Sequence, residues 1–216
     1  MITLEKVTKS FGNLTVIDDM TLSIQDGEFV VFSGPSGCGK TTLLHLIGGI
    51  EPVSSGSIFI NGKCMQKRKE REEALKWDIG FLFQNFALVD KKTVRANIEL
   101  VPKSCRSGMS IEDALGFVGL LDKIDTQVYK LSGGEQQRVA LARLLYKKSN
   151  IVLADEPTGS LDEGNADMVM GLLKRLNGMG KTIVMVTHNE KQKRVANRII
   201  DLKGAYSENQ PLLEKK

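Results

Sequence analysis

From residue 135 onward the sequence switches repeatedly between two periods. Helical "EQQRVALARLLYKK" leads to strand-like "IVLADE", helical "ADMVMGLLKRLNGMG" to "TIVMVTH", and helical "NEKQKRVA" to "RIIDLKG". Repeated helix–strand alternation argues for a parallel sheet covered by helices, and in such sheets ligand sites lie beyond the carboxyl ends of the strands. The first half reads differently. Short β-rich stretches, "ITLEKVTKSF", "LTVIDDMTLSI" and "SIFING", are separated by turn signals at Gly12-Asn13, Asp26-Gly27 and Asn61-Gly62, which predicts an antiparallel sheet beside the parallel core.

The expected class is therefore α/β. After Gly80, "FLFQ" reads as another strand, and residues 86–130 turn mostly helical, with "IEDALGFVGLLDKI" the clearest amphipathic piece. The division expected is one domain over residues 1–216, with 1–84 and 131–216 forming the core and β subdomain and 85–130 an inserted helical subdomain. At 216 residues and 41% hydrophobic content the chain has ample material for one core. The polar tail after Lys203 is expected to be loosely ordered.

A formal charge of +4 is too mild and too evenly spread to argue for nucleic acid, and none is expected as a partner. The densest charged stretch, "KRKEREEALK", mixes both signs at helical spacing and reads as a solvated helix face. No segment approaches the roughly 18 apolar residues that span a bilayer, and "MITLEKVTKS" lacks a secretory signal's apolar stretch, so a cytosolic chain is expected. Three cysteines without CxxC spacing indicate neither a disulfide framework nor a zinc site.

Between the apolar runs "FVVF" and "LLHLIGGI" lies "GPSGCGKTT", a full match to G-x-x-x-x-G-K-[ST] at a strand-to-helix turn. Gly34, Gly37 and Gly39 let the backbone approach closely, so that the amide N–H groups of Ser36, Cys38 and Thr42, among others of the stretch, face phosphate oxygens at a helix N-terminus, with Pro35, which has no N–H, lining the same loop. Lys40 supplies a mobile full charge, and Thr41 offers its hydroxyl to magnesium. Cys38 reads as a small side chain in a tight turn; activation of its thiol by the same amides and by Lys40 is the alternative.

"IVLADEPT" sets Asp155 and Glu156 at the end of an apolar strand. Asp155 suits a water-mediated magnesium contact, and Glu156 the orientation or deprotonation of an attacking water. In "LSGGEQQR", Ser132 and Glu135 match a capping box opening a helix, while Ser132, Gly133, Gly134 and that helix terminus would equally form a second anion-binding surface. Both readings stand together.

In this order, residues 34–41, "LSGGEQQR", "LADEPTGSLD" and "VTH" resemble the ATP-binding cassette (ABC) ATPases over essentially the whole chain. The resemblance implies a P-loop NTPase core, ATP and magnesium as ligands, and two ATPase domains packed head to tail. Ser132 and Gly134 would then contact the γ-phosphate held by the partner's Lys40, and Ser160 to Asp162 would communicate across the seam. It also implies that Phe11 stacks on adenine, that Gln84 is a magnesium and water ligand, and that His188 holds the γ-phosphate and organises the base. Core packing, a polar strand end and a structural histidine are the respective alternatives. Glu135 stands where the commonest form of the signature has Gln.

With one set of motifs and no span, the resemblance implies a second ATPase subunit, most simply an identical one, docked on a separate transmembrane permease at the inner face of the cell membrane. Phe86 and Leu88, just beyond Gln84, are the expected contact. The run "IGFLFQNFALVDKKTVRANIEL" and "TGSLD" are similar to the macrolide-exporter and lipoprotein-release subgroup, which includes bacteriocin-export ATPases. Export of a peptide, lipoprotein or drug is the implied work; a mechanotransmitting ATPase, or a soluble one of translation or DNA repair, is the alternative.

Overall fold

The computed structural model describes residues 1–202; the tail expectation lies outside them. In chain order the elements are β1 (Ile2–Phe11), β2 (Leu14–Ile24), β3 (Phe29–Ser33), α1 (Lys40–Ile47), β4 (Ser55–Ile60), β5 (Lys63–Cys64), α2 (Arg68–Trp77) and β6 (Ile79–Leu82). There follow α3 (Val94–Ile98), α4 (Ile111–Phe117), α5 (Gly133–Tyr146), β7 (Ile151–Asp155), α6 (Glu163–Gly178), β8 (Thr182–Val186), α7 (Glu190–Lys193) and β9 (Arg198–Asp201).

The strands form two sheets, one antiparallel in the order β2-β1-β4-β5 and one parallel in the order β6-β7-β8-β3-β9. This is the mixed architecture expected from the alternating second half and the turn-rich first half. β3, β7 and β8 stand side by side, so whatever follows their last residues meets at one edge of the sheet.

The parallel sheet divides the apolar interior. On one face Val31, Val152, Ala154, Ile183 and Met185 pack with α5, α6 and the segment after β6. On the other face Val30, Phe32, Leu153, Val184 and Val186 pack with α1 and the antiparallel sheet. The alternation follows from the period of 2 along a strand, and burial of both faces explains the nearly unbroken apolar runs.

The stretch expected to be mostly helical is thinner in helix than its composition suggests. Only the five residues of α3 and the seven of α4 are α-helical there, joined by short 3₁₀ turns. Pro102 opens one 3₁₀ turn, and Gly108 and Gly119 adopt φ of 90° and 69°, which a continuing helix cannot hold. Gly119 is what cuts "IEDALGFVGLLDKI" into α4 and a separate turn at Leu121–Lys123.

Candidate functional site

The loop from β3 to α1 turns by placing Gly37 and Gly39 in the left-handed region, at φ 83° and 91°. Gly39 is also a contact: a Cβ there would fall 2.7 Å from Val16 Cγ1, so both its conformation and its neighbour exclude a side chain. Lys40 is buried in the turn, where its Nζ donates to the carbonyls of Gly34 (2.9 Å) and Pro35 (2.7 Å). The backbone thus folds around the ammonium. Cys38 is 1% exposed, its Sγ 3.9 Å from Lys40 Nζ; packing of this kind favours the small-side-chain reading over an accessible reactive thiol.

β7 delivers the two carboxylates. Asp155 Oδ1 accepts from Thr41 Oγ1 at 3.0 Å, joining the second residue of α1 to the end of β7. Burial raises the Asp155 pKa above the ordinary carboxylate value, opposed by the Thr41 hydrogen bond and by the nearby His45 and Lys40. Glu156 continues the sheet for one more residue, its N–H donating to the Val186 carbonyl at 3.0 Å. It then turns with φ at 41°, a left-handed value unusual for a residue with a side chain. Gly159 N–H donates to the Glu156 carbonyl (3.0 Å) and closes that turn.

His188 follows β8 and reaches Glu156 Oε1 through Nδ1 at 3.2 Å. Its segment is anchored from behind: Thr187 Oγ1 donates to the buried Gln192 of α7, and the Asn189 side chain caps that helix. An ionised Glu156 only accepts, so the proton of this contact resides on Nδ1 of the imidazole. Gln84, expected to end a strand, lies two residues beyond β6 and is exposed. Gly159 lies between it and Glu156, since a Cβ on that glycine would lie 3.2 Å from Gln84 Nε2 and 3.3 Å from Glu156 Oε2.

The glycine-rich loop and Glu156 border a cleft of about 410 Å³ lined by Phe11, Val16, Ser36, Gly37, Gly39, Lys40, Thr41, Thr42 and Glu156, and Glu156 is shared with a second hollow of about 340 Å³ that His188 and Gly159 line. Phe11 is 49% exposed in the cleft, so it is not a core residue. Ser132, Gly133 and Gly134 are absent from the cleft lining. They open α5, where Ser132 Oγ accepts from Glu135 N (3.2 Å) and Glu135 Oε2 accepts from Ser132 N (2.8 Å): the capping box is formed. Gly134 packs on α6 so tightly that a Cβ would meet Asn165 Oδ1 at 2.2 Å, and Asn165 N–H in turn donates to Asp162 (2.9 Å).

Some residues with a hold on the site receive no role from the sequence, although Gln137 falls inside "LSGGEQQR". Gln137 of α5 is fully buried and donates to the Pro157 carbonyl, next to Glu156, at 2.6 Å. Arg143, also of α5, donates to the carbonyls of Ala87 (2.7 Å) and Phe86 (3.3 Å), residues with φ of 48° and 62° that follow Gln84. Buried Asn97 bonds both the N–H and the carbonyl of Val89. A glutamine or arginine inside an amphipathic helix looks solvent-facing by period; only its burial shows otherwise.

A glycine-rich strand-to-helix turn around a lysine, facing paired carboxylates on a neighbouring parallel strand, defines a P-loop nucleotide-binding protein. The sequence model of the ABC transporter family matches residues 17–159. Over 94% of its length the chain is 39% identical to the lipoprotein-releasing system ATP-binding protein LolD of Bacteroides thetaiotaomicron, covering 96% of that protein. It is 37% identical, again over 94% of its length, to the macrolide export ATP-binding/permease protein MacB of Campylobacter jejuni, of which it spans 33%. A bacterial ABC transporter cassette solved as a dimer superposes with a TM-score of 0.83 at 37% identity, 94% of each chain being covered, and has also been solved with ADP and phosphate. The chain belongs to the ABC transporter family, as one of its ATP-hydrolysing cassettes.

Proposed function

We propose that this chain is the ATPase subunit of an export or extraction complex, hydrolysing ATP to ADP and phosphate in the Phe11–Glu156 cleft and passing the resulting motion to a separate membrane-embedded permease. The observation that carries the chemistry is the convergence of Lys40, Thr41, Asp155, Glu156 and His188 from three adjacent strand ends. Lys40 donates to two loop carbonyls and, at 3.9 Å, to Cys38 Sγ; the weak sulfur contact is the one a phosphate oxygen replaces. The Thr41 hydroxyl and the Asp155 carboxylate are hard oxygen donors 3.0 Å apart, a pair suited to magnesium, with Gln84 as a further oxygen ligand. Magnesium, when bound, neutralises phosphate charge that would repel an incoming water.

Glu156 acts as the base, taking a proton from that water, and it lines the cleft together with Lys40 and Thr41. His188 holds the carboxylate through Nδ1. For Nε2 to donate to a γ-phosphate as well, the ring must carry a second proton or let go of Glu156. Phe11 offers its exposed ring to adenine.

The separation of Ser132–Gly134 from this chain's own cleft supports a two-subunit site, in which one copy's α5 terminus faces the nucleotide of the other. The solved cassette that this chain resembles is itself a dimer, in keeping with two subunits. Among the described residues no helix is long and apolar enough to cross a membrane. A separate permease fits the relative named as the ATP-binding protein of a lipoprotein-releasing system, 96% of which this chain covers, whereas the macrolide-export relative carries ATP-binding and permease parts under one name and is covered over only 33% of its length. On this reading the chain works at the inner face of the cell membrane. Phe86 and Leu88 are half-buried, whereas Val89 and Tyr129 are well exposed, Tyr129 N–H donating to the carbonyl of Asp90, the residue after Val89; all four belong to the surface proposed for the permease.

The test is Glu156→Gln. Phosphate release should fall by about 10²-fold or more while ATP affinity is retained, and with ATP the variant should elute as a dimer. Turnover near that of the unmodified protein would remove Glu156 from the role.

A further inference from the structure

Lys9 lies two residues before Phe11 on β1 and therefore on the same face of the strand. It is 7% exposed, an unusual depth for a lysine, and its Nζ sits 4.6 Å from the centroid of the Phe11 ring. The ammonium is held in place by Glu51 Oε2 at 3.2 Å and the Pro52 carbonyl at 2.9 Å. None of Lys9, Glu51 and Pro52 lines the cleft that Phe11 borders; Glu51 and Pro52 face a separate hollow of about 320 Å³. The ring thus stands with the cation on one side and the cleft on another.

A simple tie between β1 and the loop before β4 would not need a buried charge. Two neutral hydrogen bonds already make that tie, from Ser54 N to the Thr8 carbonyl (2.9 Å) and from Ser10 N to Ser54 Oγ (3.0 Å). What Lys9 adds is a contact to an aromatic ring half of whose surface is open.

We propose that Lys9 is a positioning residue for base recognition: clamped by Glu51 and Pro52, its ammonium fixes the Phe11 ring from behind so that the opposite face is presented to the base of an adenine nucleotide. The inference rests on the reading that Phe11 stacks on the base. A cation on one ring face restrains the side chain before the ligand arrives, so less freedom is lost when the base stacks. The effect belongs to the base and not to the phosphates, which Lys40 and the loop amides hold independently.

The experiment measures binding of ADP and of inorganic tripolyphosphate, a base-free probe, to the full chain and to Lys9→Met, Lys9→Arg, Phe11→Ala and the Lys9→Met/Phe11→Ala pair. Lys9→Met keeps the buried stem and removes the charge. It should weaken ADP about 3- to 10-fold and leave tripolyphosphate unchanged, raise KM for ATP by the same factor at constant kcat, and have no further effect once Phe11 is alanine. Lys9→Arg, which keeps the cation, should bind ADP within about 2-fold of the unmodified protein. Equal weakening of both ligands by Lys9→Met, or an effect that persists without Phe11, would reduce Lys9 to a tie within the fold. ADP binding unchanged by Lys9→Met but weakened by Phe11→Ala would overturn the role of Lys9 alone; binding unchanged by Phe11→Ala would overturn the stacking reading beneath it.

Discussion

Asp155 and Glu156 are neighbours in sequence, yet the fold burdens them differently. Glu156 carries its strain in the backbone, at φ 41°, while Asp155 carries it as an ionisation that burial opposes. A carboxyl whose pKa in the folded state lies above its unfolded value stabilises the fold most when protonated. That contribution is fully present below the unfolded value near 3.8 and is lost as pH rises through the raised folded value, so at neutral pH the ionised group is a net cost. Asp155→Asn keeps an acceptor for Thr41 and removes the charge. It should raise the melting temperature of the nucleotide-free protein at pH 7, lose that advantage below about pH 4, and abolish turnover; thermal melts at the two pH values together with a phosphate-release assay check it.

The residues that could be read in advance share one property: their chemistry depends on fixed local spacing. Gly34 through Thr41, the Asp155–Glu156 pair and the Ser132–Glu135 cap are each complete within a few positions, and each is found where its pattern says. Lys9, Asn97, Gln137 and Arg143 act on backbone or rings brought near by the fold, in three of these cases from 20 or more residues away, and local spacing does not say what they hold, even for Gln137 inside "LSGGEQQR".

Among the elements, α5 has the widest reach. Its first turn bears the Ser132 cap, Gln137 holds the turn after Glu156, and Arg143 holds the two left-handed residues after Gln84. One helix therefore touches the surface expected to meet a second subunit and both loops of its own catalytic centre. Replacing Arg143 by Met leaves the Phe86 and Ala87 carbonyls without that donor and frees a conformation that side chains disfavour. Urea unfolding should show a loss of about 2 kcal/mol, and kcat should fall more than KM changes, because Gln84 is no longer held beside Glu156. A variant that loses stability but keeps its full kcat would separate the latch from catalysis.

Element types were largely legible and element ends were not. β1 and β2 run where their apolar alternation and turn residues set them, and α2 coincides closely with its mixed-charge face. α7 spans only Glu190–Lys193 of the helical pattern "NEKQKRVA", and β6 stops at Leu82, two residues before Gln84. After Leu82 the chain leaves its regular form to set out Gln84, a demand made by the site and invisible to local periodicity; α7 is cut at its far end, where Asn197 exchanges hydrogen bonds with the backbone of Phe29 to start β9.

At the scale of the whole molecule, the parallel sheet is a partition one backbone thick, and side chains that alternate along its strands never meet across it. Val30 and Val31, although joined by a peptide bond, pack in separate interiors, Val30 with α1 and Val31 with the helices of the opposite face. Valine-to-alanine changes at the two positions should each cost about 2 kcal/mol, and the double variant should lose their sum to within about 0.5 kcal/mol, as distant sites do. Denaturation of the three variants checks it, and strong coupling between them would mean that a void on one side is refilled from the other. Adjacent codons would then drift as if on different chromosomes: each face is free to be rewritten for a new neighbour while the opposite face keeps its own record.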